Sequence, residues 1–207
     1  MSLGTLTDPI APQPVPLARP APANLPPTRV PGGRSGLLVV TGPPLSDKLG
    51  LARALAEALP QGMTLVWPDE LVRDALGVQV EEARTFADLL GDARARLHAG
   101  QQVVICGRFD LRERDLAVEL AHQTGCPHLV VELGGLAPRL VREVLERVPQ
   151  DEASEQLSRV HEAARDYQQV RPREHPGSAV AVLSATGPRA EQVQQVLDRW
   201  GQLGAGV

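Results

Sequence analysis

One short segment has residue types at the spacing of a phosphate-binding loop. The segment GPPLSDKL (42–49) follows an apolar run and precedes an Ala/Leu-rich stretch. Its first glycine, Gly42, and its lysine, Lys48, match the pattern GxxxxGK[ST], in which backbone N–H groups and the lysine surround phosphate oxygens. Ser46 lies inside the same loop. The spacing therefore indicates phosphate binding at the end of a strand.

Two positions depart from this pattern, and both affect the chemistry. Asp47 stands where the pattern has glycine, and a carboxylate about 4 Å from one phosphate charge costs roughly 4 kcal/mol at an effective dielectric of 20. Leu49 stands where the pattern has the Ser or Thr hydroxyl that binds Mg²⁺. For Asp47 the sequence leaves two other roles open, an N-cap of the following helix or a rearranged metal ligand.

Lys48 is the only lysine in the sequence, since the other members of the 21 basic side chains are arginines. Its survival at this position favours a role that a guanidinium cannot fill, such as a compact contact with phosphate in a narrow loop. A structural role, in which Lys48 pairs with Asp47 or another carboxylate, is an equal alternative.

The surrounding pattern predicts an α/β domain. Short apolar runs alternate with amphipathic stretches, which is typical of a parallel sheet covered on both faces. We expect a three-layer sandwich with a five-stranded parallel sheet, and Asp110 and Glu113 have the spacing of a capping box. The predicted strands are 36–41, 63–67, 102–106, 128–133 and 178–185, and the predicted helices are 49–59, 69–76, 80–100, 110–123, 137–148, 151–169 and 189–203.

Composition divides the chain into a tail, 1–35, and a domain, 36–207. The first 36 residues contain nine prolines and no periodic apolar pattern, so we expect a disordered tail, with a docking arm for a protein partner as the alternative. The net charge of −4 leaves nucleic acid open as a partner without indicating it. No apolar run is long enough for a membrane span, and two cysteines without metal spacing suggest a reduced, cytoplasmic setting and no metal site.

Four segments together resemble the P-loop kinase-like family, which includes zeta-toxin-like and polynucleotide-kinase-like members. They are GLLVVTGPPLSDKLGLARALAEAL from Gly36, WPDELVRDALG from Trp67, GQQVVICGRFDLRERD from Gly100 and LAPRLVREVLERV from Leu136. The resemblance covers about residues 36–203. It implies a P-loop NTPase fold and, where the site functions, ATP with Mg²⁺ as the cofactor.

The resemblance also implies roles for individual residues. Asp69 matches the carboxylate that faces an acceptor hydroxyl, and Cys106 stands where the family has its Walker B aspartate. Helix capping and buried packing, respectively, are the alternative roles. The candidate phosphate-binding residues are Gly42, Ser46, Asp47, Lys48, Leu49, Arg108, Arg142 and Arg147, the last two, like Arg139, on a lid-like helix where an exposed charged face is the alternative.

The residues of the loop and the resemblance are compatible with three functions. The first is a degenerate, non-catalytic member with weak or lost nucleotide binding that acts through partner recognition, because three expected site residues are replaced. The second is an ATP-dependent phosphotransferase acting on a small molecule or a nucleotide end, with Lys48 on the phosphates and Asp69 as base. The third is a nucleic-acid-end binder that keeps the kinase shape without its chemistry.

Overall fold

The computed structural model describes residues 35–60, 62–66, 85–147, 149–170 and 179–204. These residues form one five-stranded sheet in the order β2-β3-β1-β4-β5, with every neighbouring pair parallel. The predicted five-stranded parallel sheet is confirmed. The strands are β1 Gly36–Thr41, β2 Gly62–Val66, β3 Gln102–Gly107, β4 His128–Gly134 and β5 Val180–Ser184.

Six helices are described, and each lies within one or two residues of its prediction at most ends. The exception is α2, whose described part begins at Phe86 rather than residue 80. The predicted helix at 69–76, the predicted start of α2 and the predicted tail fall outside the described residues. The helices are α1 Lys48–Ala58, α2 Phe86–His98, α3 Leu111–Thr124, α4 Pro138–Arg147, α5 Gln150–Val170 and α6 Arg189–Gly204.

The sheet is packed on both faces, as the continuous apolar runs predict. Alternate strand residues such as Leu38 and Val131 pack against α1 and α6, and their neighbours, such as Val39 and Val130, pack against α2 and α3. Strand residues point to opposite faces in turn, so each run must be apolar throughout to fill both layers. The three-layer arrangement is confirmed.

Two of the helices begin with complete capping boxes. In α3 the Asp110 carboxylate accepts from the Glu113 N–H at 2.7 Å, and the Glu113 carboxylate accepts from the Asp110 N–H at 3.0 Å. Thr85 and Asp88 form the same reciprocal pair at the start of α2. The capping box predicted at Asp110 is confirmed, and it fixes where the chain turns away from β3.

The strand order reverses at β1, which lies between β3 and β4. Chain segments that leave β1 and β4 therefore go to opposite sides, and this opens a crevice at the carboxyl ends of the strands. The register places Thr41 beside Gly107 on one side and beside Glu132 on the other. The segment that begins at Gly42 lies in this crevice. None of the described helices is long and apolar enough to cross a membrane.

Candidate phosphate-binding site

The loop after β1 contains two residues with a left-handed backbone. Leu45 and Asp47 have φ of 57° and 60°, in the left-handed region, and they flank Ser46. A left-handed residue beside a right-handed one directs successive N–H groups to one side and forms a concave nest for anions. Glycine adopts this conformation at little cost, whereas leucine pays about 1–2 kcal/mol. The loop therefore contains two left-handed residues although neither of them is glycine.

Gly42 and Ser46 meet across the loop. A Cβ at Gly42 would lie 2.7 Å from Ser46 Oγ and 2.9 Å from the carbonyl oxygen of Leu133, so only glycine fits there. Ser46 is 1% exposed, and its Oγ has no hydrogen-bond partner in the described part of the chain. A buried hydroxyl of this kind is unusual in a folded protein, because leaving it unsatisfied costs about 1–3 kcal/mol.

Lys48 lies inside the loop rather than on the surface. Its side chain is buried, and Nζ donates to the carbonyl oxygen of Pro43 at 3.1 Å. The Ser46 N–H donates to the same carbonyl at 3.3 Å. The ammonium is thereby directed back across the loop.

Asp47 precedes α1 as predicted, but its carboxylate does not cap the helix. Among the described residues its side chain makes no capping hydrogen bond, because the left-handed backbone turns it away from the N–H groups of the first turn. The carboxylate instead accepts from Arg189 Nη2 at 2.6 Å and lies 3.7 Å from Arg139 Nη2. The N-cap interpretation of Asp47 is therefore wrong in its side-chain contact.

Gly50 makes room for this carboxylate. An ideal Cβ at Gly50, on the first turn of α1, would lie 2.6 Å from Asp47 Oδ1 and 3.0 Å from Cγ. Any larger residue at position 50 would push the carboxylate out of its present place.

Arg189 is held in position by a glutamine of its own helix. Its Nη1 donates to Gln192 Oε1 at 2.6 Å, and Gln192 Nε2 donates to the carbonyl oxygen of Ser184 at 2.6 Å. Gln192 is 4% exposed, so this support is buried at the end of β5. The guanidinium also donates to the Asp47 carbonyl oxygen at 3.2 Å. The contact therefore joins the loop after β1 to the segment after β5.

Leu45 fastens the loop to the lid-like helices. Its side chain is buried in a small apolar cluster with Leu140 and Val144 of α4 and Val160 of α5. Its carbonyl oxygen accepts from the Ala137 N–H at 2.8 Å. Burial of a leucine contributes about 1.5–3 kcal/mol, which offsets the cost of its left-handed backbone.

A second set of polar side chains lies near the end of β1. Thr41 Oγ1 and the Tyr167 hydroxyl are 3.2 Å apart, and this buried contact joins the end of β1 to α5. Arg114 of α3 and Glu132 of β4 are each 3% exposed. Burial lowers the pKa of Arg114, while the charges of nearby Asp115, Tyr167 and Glu132 favour its protonated form. The contact between Thr41 and Tyr167 therefore connects α5 to the strand from which the loop begins.

The two positions that the resemblance assigns to Mg²⁺ binding are in contact with the apolar core. Cys106 is 1% exposed in the cluster between the sheet and α1, and Leu49 packs against the same cluster. The described residues contain no group of three or more His, Cys, Asp or Glu side chains that could hold a metal. Neither Cys106 nor Leu49 offers an oxygen ligand, so these two positions do not fit the metal of a nucleotide.

The remaining described candidates lie outside the loop, and the interactions seen for Arg108 and Arg147 are with residues that do not belong to it. Arg108 is exposed and lies near Glu113. Arg142 is exposed, and Arg147 is engaged by Glu143 of its own helix at 2.8 Å. Asp69 lies outside the described residues.

Sequence reasoning missed Arg189 and Tyr167. Arg189 begins a helix, where the positive end of the helix dipole disfavours a cation. An arginine in that position, directly after Pro188, is a signal that could have drawn attention to it. Tyr167 gives no comparable signal, because its place near β1 depends on the packing of a helix 126 residues away in sequence.

No protein-family model matches the chain, and no curated protein is a significant match. Solved structures do match. A gluconokinase from Sinorhizobium meliloti has a TM-score of 0.49 and 19% identity over 84% of this chain and 95% of its own. Kti12 from Chaetomium thermophilum, solved with ADP-AlF3, has a TM-score of 0.57 and 24% identity over 82% of this chain and 100% of its own. With the strand order and the loop after β1, the likeness to Kti12 shows that this chain has the fold of a P-loop kinase-like NTPase.

Proposed function

We propose that this protein is a degenerate P-loop kinase-like domain that does not transfer phosphoryl groups and acts by binding. The observation that supports this most directly is that Cys106 is buried in the apolar core and Leu49 packs against that core. In a P-loop NTPase a loop hydroxyl and a strand carboxylate hold Mg²⁺, which neutralises charge as the phosphoryl group moves. Neither side chain here has an oxygen ligand to offer.

Nucleotide binding is weak in this proposal because of Asp47. Its carboxylate is part of the loop that would enclose phosphate, and each phosphate charge about 4 Å away costs roughly 4 kcal/mol at an effective dielectric of 20. Micromolar binding of a nucleotide amounts to about 8 kcal/mol. Repulsion from one such charge would cancel about half of that affinity, and the ion pair of Asp47 with Arg189 reduces the repulsion.

The binding role of the domain is directed at a protein partner, with the proline-rich segment 1–35 as the recruiting element. Proline-rich chains present a preformed extended shape to aromatic grooves at low entropic cost. Deleting residues 1–34 should then remove partner binding while the melting temperature stays within about 2 °C. A loss of several degrees would instead mean that this segment contributes to the stability of the domain.

A second candidate, an ATP-dependent phosphotransferase acting on a small molecule or a nucleotide end, is favoured by the shape of the loop. The left-handed backbone at Leu45 and Asp47 and the inward ammonium of Lys48 are features that also occur in phosphate sites. In this alternative Lys48 holds the phosphates and Asp69 accepts the proton of the acceptor hydroxyl.

One pair of measurements separates the two functions. Calorimetry of the full chain with ATP·Mg²⁺ should show binding weaker than micromolar, and turnover should stay at background. Mg²⁺-dependent turnover above about 1 s⁻¹, the lower end of typical kinase rates, would overturn the proposal if it disappears in Lys48→Ala. Turnover that survives Lys48→Ala belongs to a contaminant, and the proposal then stands.

A further inference from the structure

We propose that Arg139 and Arg189 form an anion site for a diphosphate or triphosphate group, and that the Asp47 carboxylate is its internal ligand. The carboxylate lies 2.6 Å from Arg189 and 3.7 Å from Arg139, two arginines that come from different helices. In this arrangement the Asp47 carboxylate occupies the place of an external anion. A phosphate ligand binds only when it displaces this carboxylate from the two arginines. The inference deepens the proposed function and rests on it, because it concerns the regulation of the same loop.

The positions of the two arginines support an anionic ligand. Arg139 is the second residue of α4 and Arg189 the first residue of α6, and each directly follows a proline. The amino end of a helix is positively polarised, so an arginine there is unfavourable until an anion joins it. Two guanidinium groups, each from the first turn of a helix, thus meet at a single carboxylate. One carboxylate is a small anion for that much positive charge.

The two arginines differ in how firmly they are held. Arg189 is fixed through Gln192, which is anchored to the carbonyl of Ser184, so its guanidinium is already oriented. The side chain of Arg139 is 72% exposed and stands beyond hydrogen-bond distance of Asp47. A planar guanidinium suits phosphate oxygens, which can accept two parallel hydrogen bonds. Arg189 would therefore provide the preformed contact, and Arg139 would close over the ligand.

The interior of the loop supplies a second reason to expect an anion. Ser46 Oγ is buried and has no partner among the described residues, although it lies beside Gly42 at the end of β1. A ligand oxygen in the loop would satisfy this hydroxyl. Asp47 connects the loop to the two arginines, so a diphosphate or triphosphate in the loop would extend from Ser46 towards them.

The experiment weakens the contact between Asp47 and the two arginines with two independent variants. Gly50→Ala keeps the charge, but the new Cβ would lie 2.6 Å from Asp47 Oδ1 and must push the carboxylate aside. Alanine also suits a helix better than glycine, which protects the fold. Asp47→Asn removes the charge and tolerates the left-handed backbone. Calorimetry with inorganic pyrophosphate in EDTA should show at least tenfold tighter binding by both variants than by the wild-type chain.

Arg189→Gln added to either variant should remove the gain, and Arg199→Gln, which removes an exposed charge from the same helix, should leave it intact. ADP and pyrophosphate as parallel probes show whether the anion is part of a nucleotide or free, and adenosine alone should not bind. The proposal is overturned if folded Gly50→Ala and Asp47→Asn both bind pyrophosphate no better than wild type, or if the gain survives Arg189→Gln. Neither result depends on turnover or on Mg²⁺, so the proposed function is tested separately.

Discussion

Asp110 and Asp47 have the same chemistry at the same kind of position, yet they serve different purposes. Each is the residue directly before a helix that follows a strand of the sheet. Asp110 has an extended backbone, and its carboxylate accepts from the Glu113 N–H three residues on. Asp47 has a left-handed backbone, and its carboxylate reaches Arg189, 142 residues on.

The difference shows when an aspartate that precedes a helix acts as its N-cap. A cap is formed by the chain within one turn and stabilises its own helix, whereas the Asp47 contact ties together two loops at the crevice. A left-handed residue directs its side chain away from the helix that it precedes. The backbone of the phosphate loop therefore decides the role of Asp47, although its residue type is that of an ordinary cap.

The largest effect that separates the two aspartates concerns ATP affinity. Asp47→Gly removes the charge and the Cβ from the loop, and ATP should bind at least tenfold tighter, about 1.4 kcal/mol. Adding Leu49→Ser should make that binding depend on Mg²⁺, because a hydroxyl ligand returns. Lys48→Ala in the same background should abolish the gain. Calorimetry with and without Mg²⁺ measures all three.

Asp110→Ala is the matched control, since it should leave ATP affinity unchanged. If affinity is also unchanged in Asp47→Gly and in Asp47→Gly/Leu49→Ser, charge repulsion by Asp47 does not limit binding. The loop would then be closed by the packing of Leu45 against the lid-like helices.

The next effect is on stability and should appear at Asp110. Asp110→Ala removes a capping hydrogen bond and leaves N–H groups of the first turn of α3 without their partner. We expect a loss of about 1 kcal/mol in the free energy of unfolding, measured by urea denaturation. A change below about 0.3 kcal/mol, under the usual range for a lost cap, would show that this capping box contributes little.

Asp47→Gly should change stability less than Asp110→Ala does. Glycine relieves a left-handed backbone worth about 1 kcal/mol, and the lost ion pair, which is partly exposed, was worth about 0.2–1 kcal/mol. The two terms nearly cancel, so we expect a change within about 0.5 kcal/mol in the same denaturation experiment. A loss of about 2 kcal/mol or more would mean that the Asp47 contact is a main support of the fold.

The smallest effect concerns the pH dependence of the capping box. Burial raises the pKa of Glu113 above its ordinary value near 4.5, so the folded state disfavours the ionised form. This penalty is present above the raised pKa and disappears as the pH falls towards 4.5. Glu113→Gln keeps the capping geometry. Relative to wild type, it should be most stable near pH 7, and its advantage should shrink on acidification.

Glu119→Gln, an exposed position on the same helix, is the matched control for this titration. A constant difference in unfolding free energy between Glu113→Gln and wild type from pH 7 to pH 4 would contradict the expected role of Glu113.

The fold could be predicted from the sequence because its signals are local and repeated. Continuous apolar runs such as 36–41 and 102–106 fill both faces of a parallel sheet, and the sheet formed as expected. The box at Asp110 lies within four residues, so spacing alone identifies it. Helix ends shifted by a residue or two, since the last turns depend on tertiary contacts.

The candidate site could be predicted only in part. The loop position and the inward place of Lys48 follow from spacing between a buried strand and a helix. The partners of Asp47 do not, because Arg189 belongs to a helix that the strand order brings to the same edge of the sheet. The contact of Tyr167 with Thr41 has the same origin. Contacts across more than a hundred residues depend on topology, and the spacing of residues in a single sequence does not report them.

The buried place of Lys48 has a consequence for how this protein can be modified. The sequence offers a single side-chain amine to lysine acetylation or ubiquitin attachment, and that amine is 6% exposed and bonded to a loop carbonyl. An amine-reactive reagent would therefore label this side chain only when the loop opens. Its rate of labelling would report loop opening directly, without any engineered probe.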